Sequence, residues 1–373
     1  MSTLPRLTAV TGPVPRPRPG IRTAVITAMA LAVATTALAA FTASGASGTR
    51  SLLKAAMAQL FRSYEVNTGL IGGSWWQAAV ALSTVESYAE ATGDTSYDAA
   101  ITEAFAINSG GKFENGSNDD TAWWALAWLR AYHLTHRYAY LALAETEADY
   151  IHQDWDSTCG GGVWWQRDPR SYKNAIANEL FLELTAWLHN SIPGDTKYLA
   201  WANAEWSWFS HSGMINKDNL VNDGLGNDCR NNHQPTWTYN QGVILAGLAQ
   251  LYRATGNRAL LTEAERIATA ATSHLVIGGV LSEPCQSDVC ADQFGTSAQS
   301  FKGIFVRDLK VLAVTARTTQ FNSFFRAQAR AIRDHDTSAA HQFGVYWSGP
   351  IAGVTPASQA SALAALVASV RLP

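Results

Sequence analysis

The chain has 373 residues, 47% of them hydrophobic and 15% charged, with a formal net charge of −3. It is too apolar for a disordered chain, its 28 Gly and 12 Pro are too few for a fibrous one, and the missing basic excess argues against a nucleic-acid partner. Fourteen Trp in so weakly charged a chain imply a large aromatic core or platforms for flat apolar faces such as those of sugar rings, because a buried indole N–H needs a partner.

Residues 1–23 carry Arg6, Arg16, Arg18 and Arg22, five prolines and no acid, and Ala24 to Phe41 is an uncharged run of small and aliphatic residues. Ala37-Leu38-Ala39 and Ser44-Gly45-Ala46 follow. This is the charged, apolar and small-residue layout of a secretory signal peptide. We expect residues 1–46 to be removed, leaving 47–373 as one secreted, monomeric domain whose charge balance moves to −7 with the loss of four Arg and no acid. No later segment is long and apolar enough to span a bilayer, so no stable membrane association is expected.

Helical periodicity then runs almost unbroken. The spacing predicts helices over Ser51–Glu65, Trp76–Thr92, Tyr97–Ile107, Asp119–Leu134, Tyr138–Trp155, Asn174–Asn190, Lys197–Ser210, Thr238–Thr255, Ala259–His274, Ser297–Ala316, Phe321–Asp334 and Pro356–Val370. Gly or polar stops at Ala91 to Asp94, Leu134 to Arg137, Ile192 to Asp195 and Ala254 to Asn257 look like helix C-termini. Short turns join the members of each pair, and longer Gly-, Asn- and Trp-rich loops precede the next pair. That alternation suggests an all-α fold, an (α/α)6 barrel of six helical hairpins whose long loops build one functional face. Helices starting at Asp119, Asn174, Thr238 and Ser297 are apolar around most of their circumference and belong inside. Those starting at Tyr138 and Ala259 carry charge on one face and belong outside. A strict repeat of the kind an open solenoid requires is absent.

Four cysteines suit an exported chain. Cys285 and Cys290 are close enough to close a short loop, which leaves Cys159 to pair with Cys229. No metal is expected at Cys285 and Cys290, since four residues separate them and no His is near.

The chemistry concentrates at the entry to the fourth helix, where a polar loop runs into Asn118-Asp119-Asp120-Thr121-Ala122-Trp123-Trp124. Asn118 or Asp119 could cap the helix, and an acid in the first turn suits its dipole. A cap needs one acid, however, and a second beside it adds repulsion. Two carboxyls in one site are what glycoside cleavage requires, one as proton donor and one as nucleophile or base. Neighbouring side chains on a helix diverge by about 100°, and such short ones do not easily reach the wider spacing of inverting enzymes, so adjacency favours retention.

Asn118-Asp119-Asp120-Thr121-Ala122-Trp123-Trp124-Ala125-Leu126-Ala127-Trp128 resembles the signature of glycoside hydrolase family 76, the endo-α-1,6-mannanases. Gly162-Val163-Trp164-Trp165, Lys173-Asn174-Ala175-Ile176-Ala177-Asn178-Glu179-Leu180, Asn222-Asp223-Gly224, Thr238-Tyr239-Asn240-Gln241-Gly242 and Phe301-Lys302-Gly303 match further segments in the expected order, over roughly residues 50–370. The resemblance implies a retaining mechanism without metal or other cofactor, with Asp119 as nucleophile and Asp120 as acid/base, acting on mannan polysaccharide or oligosaccharide. Because fungal relatives act as cell-wall transglycosylases, transfer is the alternative to hydrolysis. A non-catalytic glycan-binding protein is the third, disfavoured by the intact acid pair. Asn118, Trp123, Asp223 and Lys302 enter the candidate binding set through these motifs. Trp164, Trp165, Trp237 and Tyr239 sit at loop–helix junctions suited to stacking on sugar. Lys173, Asn174, Asn240 and Gln241 are polar residues at the starts of apolar helices and are candidates for bonding hydroxyls.

Overall fold

The computed structural model describes residues 48–284, 286 and 296–373. The leader and the expected Cys285–Cys290 link lie outside the described residues. The chain sorts into two units, Met1–Ser51 and Leu52–Pro373, and the architecture below is that of the second.

Twelve α-helices occur among the described residues. They are α1 (48–60), α2 (Trp75–Thr92), α3 (Ala99–Asn108), α4 (Asn118–Thr135), α5 (Tyr138–His152), α6 (Ala175–Ser191), α7 (Lys197–Phe209), α8 (Thr238–Thr255), α9 (Arg258–His274), α10 (Phe301–Ala316), α11 (Asn322–His335) and α12 (Pro356–Ala368). The even-numbered helices form a closed ring. Each packs on the next, α2 on α4 through to α10 on α12, and α12 returns to α2. Odd-numbered helices back them from outside, α5 on α4, α7 on α6, α9 on α8 and α11 on α12. This is the (α/α)6 barrel.

Burial explains which helix goes where. On α8 every residue from Asn240 to Leu251 is buried, as a helix apolar all round requires. On α9 the buried set is Leu260, Leu261, Ala264, Ile267, Ala268, Ala270 and Ala271, a single stripe at helical spacing. Inner helices end in left-handed residues, Gly93 (φ 75°), His136 (φ 58°) and Gly256 (φ 71°). Glycines inside inner helices let the ring close tightly. A Cβ on Gly242 of α8 would come within 2.6 Å of the Phe305 Cα on α10, and one on Gly303 of α10 would overlap the Ser361 backbone of α12.

Most predicted boundaries agree to within three residues, and two move further. The first helix stops at residue 60, and the chain continues through a 3-10 turn, Phe61–Ser63, into a hairpin of β1 (Tyr64–Glu65) and β2 (Leu70–Ile71). Gly69, at φ 69°, turns the chain there. The helix predicted from Ser297 begins as a separate 3-10 turn, Ser297–Gln299, before α10. Further short hairpins pair β3 (Gln166–Arg167) with β4 (Arg170–Ser171) and β5 (Val276–Ile277) with β6 (Val280–Leu281).

The long loops all precede inner helices, so they share the ring mouth at which those helices begin. The Cys159–Cys229 disulfide ties the loop before α6 to the loop before α8. Beneath the mouth, Trp124 and Trp128 are fully buried. They stack on each other at 5.7 Å between centroids, and Trp128 stacks on Tyr140 at 5.6 Å. Trp124 therefore belongs to the core rather than the mouth.

Candidate active site

The entry to α4 is fixed from outside the helix. Ser117 takes the N-cap position with an extended backbone, and its hydroxyl accepts from Gln166 Nε2 at 2.8 Å rather than capping. Neither Asn118 nor Asp119 caps; both lie inside the first turn. Asn118 is completely buried. Its amide donates to Asp154 Oδ2 at 2.9 Å and to the Trp164 carbonyl at 2.8 Å, and its oxygen accepts from Arg167 at 3.2 Å. Arg167 in turn pairs with Asp154 at 2.6 Å. The geometry makes Asn118 a brace between α4 and the β3–β4 hairpin instead of a ligand-facing group.

Asp119 and Asp120 follow in the same turn, partly open to solvent. Asp119 Oδ1 accepts from Trp165 Nε1 at 2.9 Å and from the Asp120 backbone N–H at 3.0 Å. Asp120 Oδ2 accepts from Asn115 Nδ2 at 2.7 Å, and the Asn115 oxygen is itself held by the Ser117 N–H at 2.7 Å. Burial pushes both carboxyls above the usual range. The charge of Asp120 raises Asp119 further, while the indole N–H and helix amides oppose the rise. Asn115 opposes it at Asp120.

Across the mouth, the first turn of α8 presents Tyr239 and Asn240. The Tyr239 ring lies flat on Phe301 at 3.8 Å. Burial, then the charges of Asp223 and Asp119, raise its hydroxyl pKa well above the ordinary value. Trp76 stacks against Trp123 at 5.9 Å, and Trp237 meets Phe301 edge-on at 5.7 Å, so the wall beside the acids is aromatic. Asp223 accepts from Tyr172 OH at 2.5 Å, and Asn232 donates to that hydroxyl at 2.8 Å. Burial raises the Asp223 pKa, opposed by the Tyr172 hydroxyl and the neighbouring Asn240 amide. Neither polar atom of Asn240 makes a hydrogen bond of ordinary geometry, and neither does either carboxyl oxygen of Glu179 on α6; both residues are fully buried.

Other predicted site residues hold the loops. The buried Lys173 Nζ donates to the carbonyls of Gly161 (2.6 Å) and Gly162 (2.9 Å) and to Asp156 Oδ1 (2.9 Å); burial lowers its pKa, opposed by Asp156. Trp164 donates its N–H to Asp156 at 2.8 Å and lies under Lys173. Asn174 is the N-cap of α6, accepting from Ala177 N at 3.2 Å. Gln241 pins the loop before α8, accepting from Val221 N at 2.7 Å and donating to Val221 O at 2.8 Å. Lys302 is buried against Trp347 and donates to the Val345 carbonyl and Gln286. The structure thus brings together Asp119, Asp120, Trp123, Asp223, Tyr239 and Asn240, and assigns Asn118, Trp164, Lys173, Asn174, Gln241 and Lys302 to the framework. Sequence reasoning missed Asn115, Tyr172 and Glu179, and gave Trp165 only a stacking role. Glu179 lay inside a quoted motif; Asn115 and Tyr172 carried no signal beyond standing near other polar loop residues. Among the described residues no group of three or more His, Cys, Asp or Glu is arranged to hold a metal.

Comparison with known proteins agrees with this geometry. The chain is 28% identical over 308 residues to a mannan endo-1,6-alpha-mannosidase of Saccharomyces cerevisiae, covering 74% of this chain and 68% of that one. It is 28% identical over 276 residues to the Candida albicans counterpart, where the match covers 66% of this chain but spans only 60% of the relative's own length. The alpha-1,6-mannanase of Salegentibacter sp. HEL1_6 superposes with a TM-score of 0.76 at 25% identity, covering 86% of this chain and 98% of that one. An inactive variant of that enzyme, with two adjacent aspartates replaced by asparagine, was solved with alpha-1,6-mannotriose (TM-score 0.77, 25% identity, coverage 87% and 99%). The model of Glycosyl hydrolase family 76 matches residues 44–371, and the chain belongs to that family.

Proposed function

We propose that this protein is a secreted endo-α-1,6-mannanase that hydrolyses mannan backbones with retention of configuration, and that residues 1–46 are a signal peptide removed on export. The observation that carries this reading is the pair of partly buried carboxyls at the start of α4, each held by its own N–H donor. In the first step an Asp119 oxygen attacks the anomeric carbon while protonated Asp120 gives its proton to the departing glycosidic oxygen, leaving a glycosyl ester and an ionised Asp120. In the second, Asp120 takes a proton from water as the water oxygen attacks the same carbon, releasing Asp119 and restoring the starting protonation. Donors support the division of roles. Once Asp120 is protonated its charge no longer acts on Asp119, whose indole and amide donors favour the carboxylate. The aromatic wall of Trp76, Trp123, Phe301 and Tyr239 suits the apolar faces of mannose rings.

The test is incubation with unbranched α-1,6-mannan followed by sizing of the products. Internal cleavage to short oligosaccharides is expected, and Asp119→Asn and Asp120→Asn are each expected to lower turnover by about 10³-fold or more with an unchanged thermal midpoint. Wild-type-like turnover in either variant would sink the assignment. An added glycan acceptor separates hydrolysis from transfer, because transfer yields longer chains.

A further inference from the structure

The residues flanking the β3–β4 hairpin touch two acids of the mouth, Asp119 and Asp223. At its start, Trp165 reaches across to α4 and donates its indole N–H to Asp119 Oδ1 at 2.9 Å. At its end, Tyr172 donates its hydroxyl to Asp223 at 2.5 Å. The two residues are bound to each other through Trp165 N–H to the Tyr172 carbonyl at 2.8 Å, and their rings meet edge-on at 6.2 Å. Between them the hairpin is anchored on the α4 side. Trp165 O accepts from the Asn118 N–H at 2.8 Å, the Arg167 N–H donates to the Gly116 carbonyl at 3.0 Å, and the Arg167 guanidinium holds Asp154. An indole so braced has little freedom to turn away, so its N–H is aimed before any substrate arrives.

We infer that Trp165 is a positioning residue: it fixes the rotamer of Asp119 and stabilises its carboxylate form, making the β3–β4 hairpin part of the catalytic apparatus and not a sugar-stacking surface. The argument is geometric. Among the side chains Trp165 donates to Asp119, and the oxygen it engages, Oδ1, also takes the Asp120 amide. That leaves Oδ2 as the atom free to attack. An indole N–H donates and never accepts, so it favours the charged form of its partner and cannot relay a proton away. The other titratable groups around Asp119 are Asp120 on its own helix and Tyr239 on α8, with Asp223, Glu179 and Tyr172 beyond Tyr239. Asp120 disfavours charge on Asp119 when ionised, and burial keeps the Tyr239 hydroxyl protonated. Trp165 and the first-turn amides therefore offset burial and the charge of Asp120.

The inference rests on the mannanase reading for its catalytic meaning but has a test independent of turnover. In indole-¹⁵N-labelled protein, the Trp165 Nε1–H resonance, identified by its loss in Trp165→Phe, should move with pH as Asp119 titrates, and should lose that movement in Asp119→Asn. With α-1,6-mannotetraose as substrate, Trp165→Phe should move the acid limb of kcat/KM upward by about one pH unit. At a pH below the new limb that corresponds to about a tenfold loss, with KM little changed. A Trp165 resonance indifferent to Asp119, or an acid limb unmoved in a folded Trp165→Phe, overturns the inference. If the wild type cleaves no α-1,6-mannoside yet the resonance still follows Asp119, the proposed activity fails and the positioning role stands.

Discussion

Asp119 and Asp120 are neighbours in one helical turn, so the proton on either is decided by the other, and the pair titrates as a unit. Burial raises both above ordinary carboxyls. In the proposed mechanism attack needs Asp119 ionised, so activity should fall as pH drops through the lower step of the pair. In the same mechanism proton donation needs Asp120 protonated, so activity should fall again as pH rises through the upper step. The expected kcat/KM profile is a bell with both limbs above the pH range of free carboxyls, checked with α-1,6-mannotetraose from pH 3 to 9; a flat profile there would contradict it. The pair was legible in the sequence because two adjacent acids ahead of an apolar helix have little structural use. Lys173 and Gln241 were not, because a polar residue at the start of an apolar helix looks the same whether it faces a ligand or a folded-back loop. Only the loop path puts the Gly161 and Gly162 carbonyls beside Lys173 and Val221 beside Gln241. Lys173→Met should accordingly cost about 1–3 kcal/mol of stability by stranding those acceptors, read from urea midpoints.

Helix existence and the inside–outside sorting were visible in the sequence because both follow from periodicity, a property local to each segment. The closeness of neighbouring inner helices was not visible, since Gly in mid-helix reads only as a cost of about 1 kcal/mol relative to Ala. In the ring that cost permits contact. Gly303→Ala would drive a methyl into the Ser361 backbone of α12. It is expected to destabilise by about 1–3 kcal/mol despite the better helix former, measured by chemical denaturation; a gain in stability would show that α10 and α12 can move apart freely. The helices also bury acids unrelated to the site. Glu147 on α5 is fully buried with no hydrogen-bond partner, and burial holds its pKa well above the ordinary carboxyl range. The folded chain therefore keeps a proton that the unfolded chain releases near pH 4.5. That contribution is complete below the unfolded pKa and is lost as pH rises toward the folded one. Glu147→Gln should gain stability relative to wild type as pH moves from 5 to 8, seen as a widening difference in denaturation midpoints.

At the scale of the whole molecule, the sequence showed six hairpins and a functional face, while the course of the long loops over that face needed coordinates, because loops follow contacts far apart in sequence. The Cys159–Cys229 link, 70 residues apart, gathers two of them. Loop-closure entropy puts its contribution at about 4 kcal/mol, so Cys159→Ser should lower the thermal midpoint clearly, and an unchanged midpoint would show the loops to be held by their hydrogen bonds alone. The contact between α12 and α2 has a separate consequence. These neighbours in space are nearly three hundred positions apart in the chain, so the seam between them is the most expensive loop to close and is expected to form late in folding. An open array tolerates loss of a terminal unit, since each unit needs only its neighbours. A ring has no terminal unit. Deleting α12 would expose apolar flanks on both α2 and α10 at once, so C-terminal shortening by a single helix should yield aggregating chains in place of a smaller folded protein.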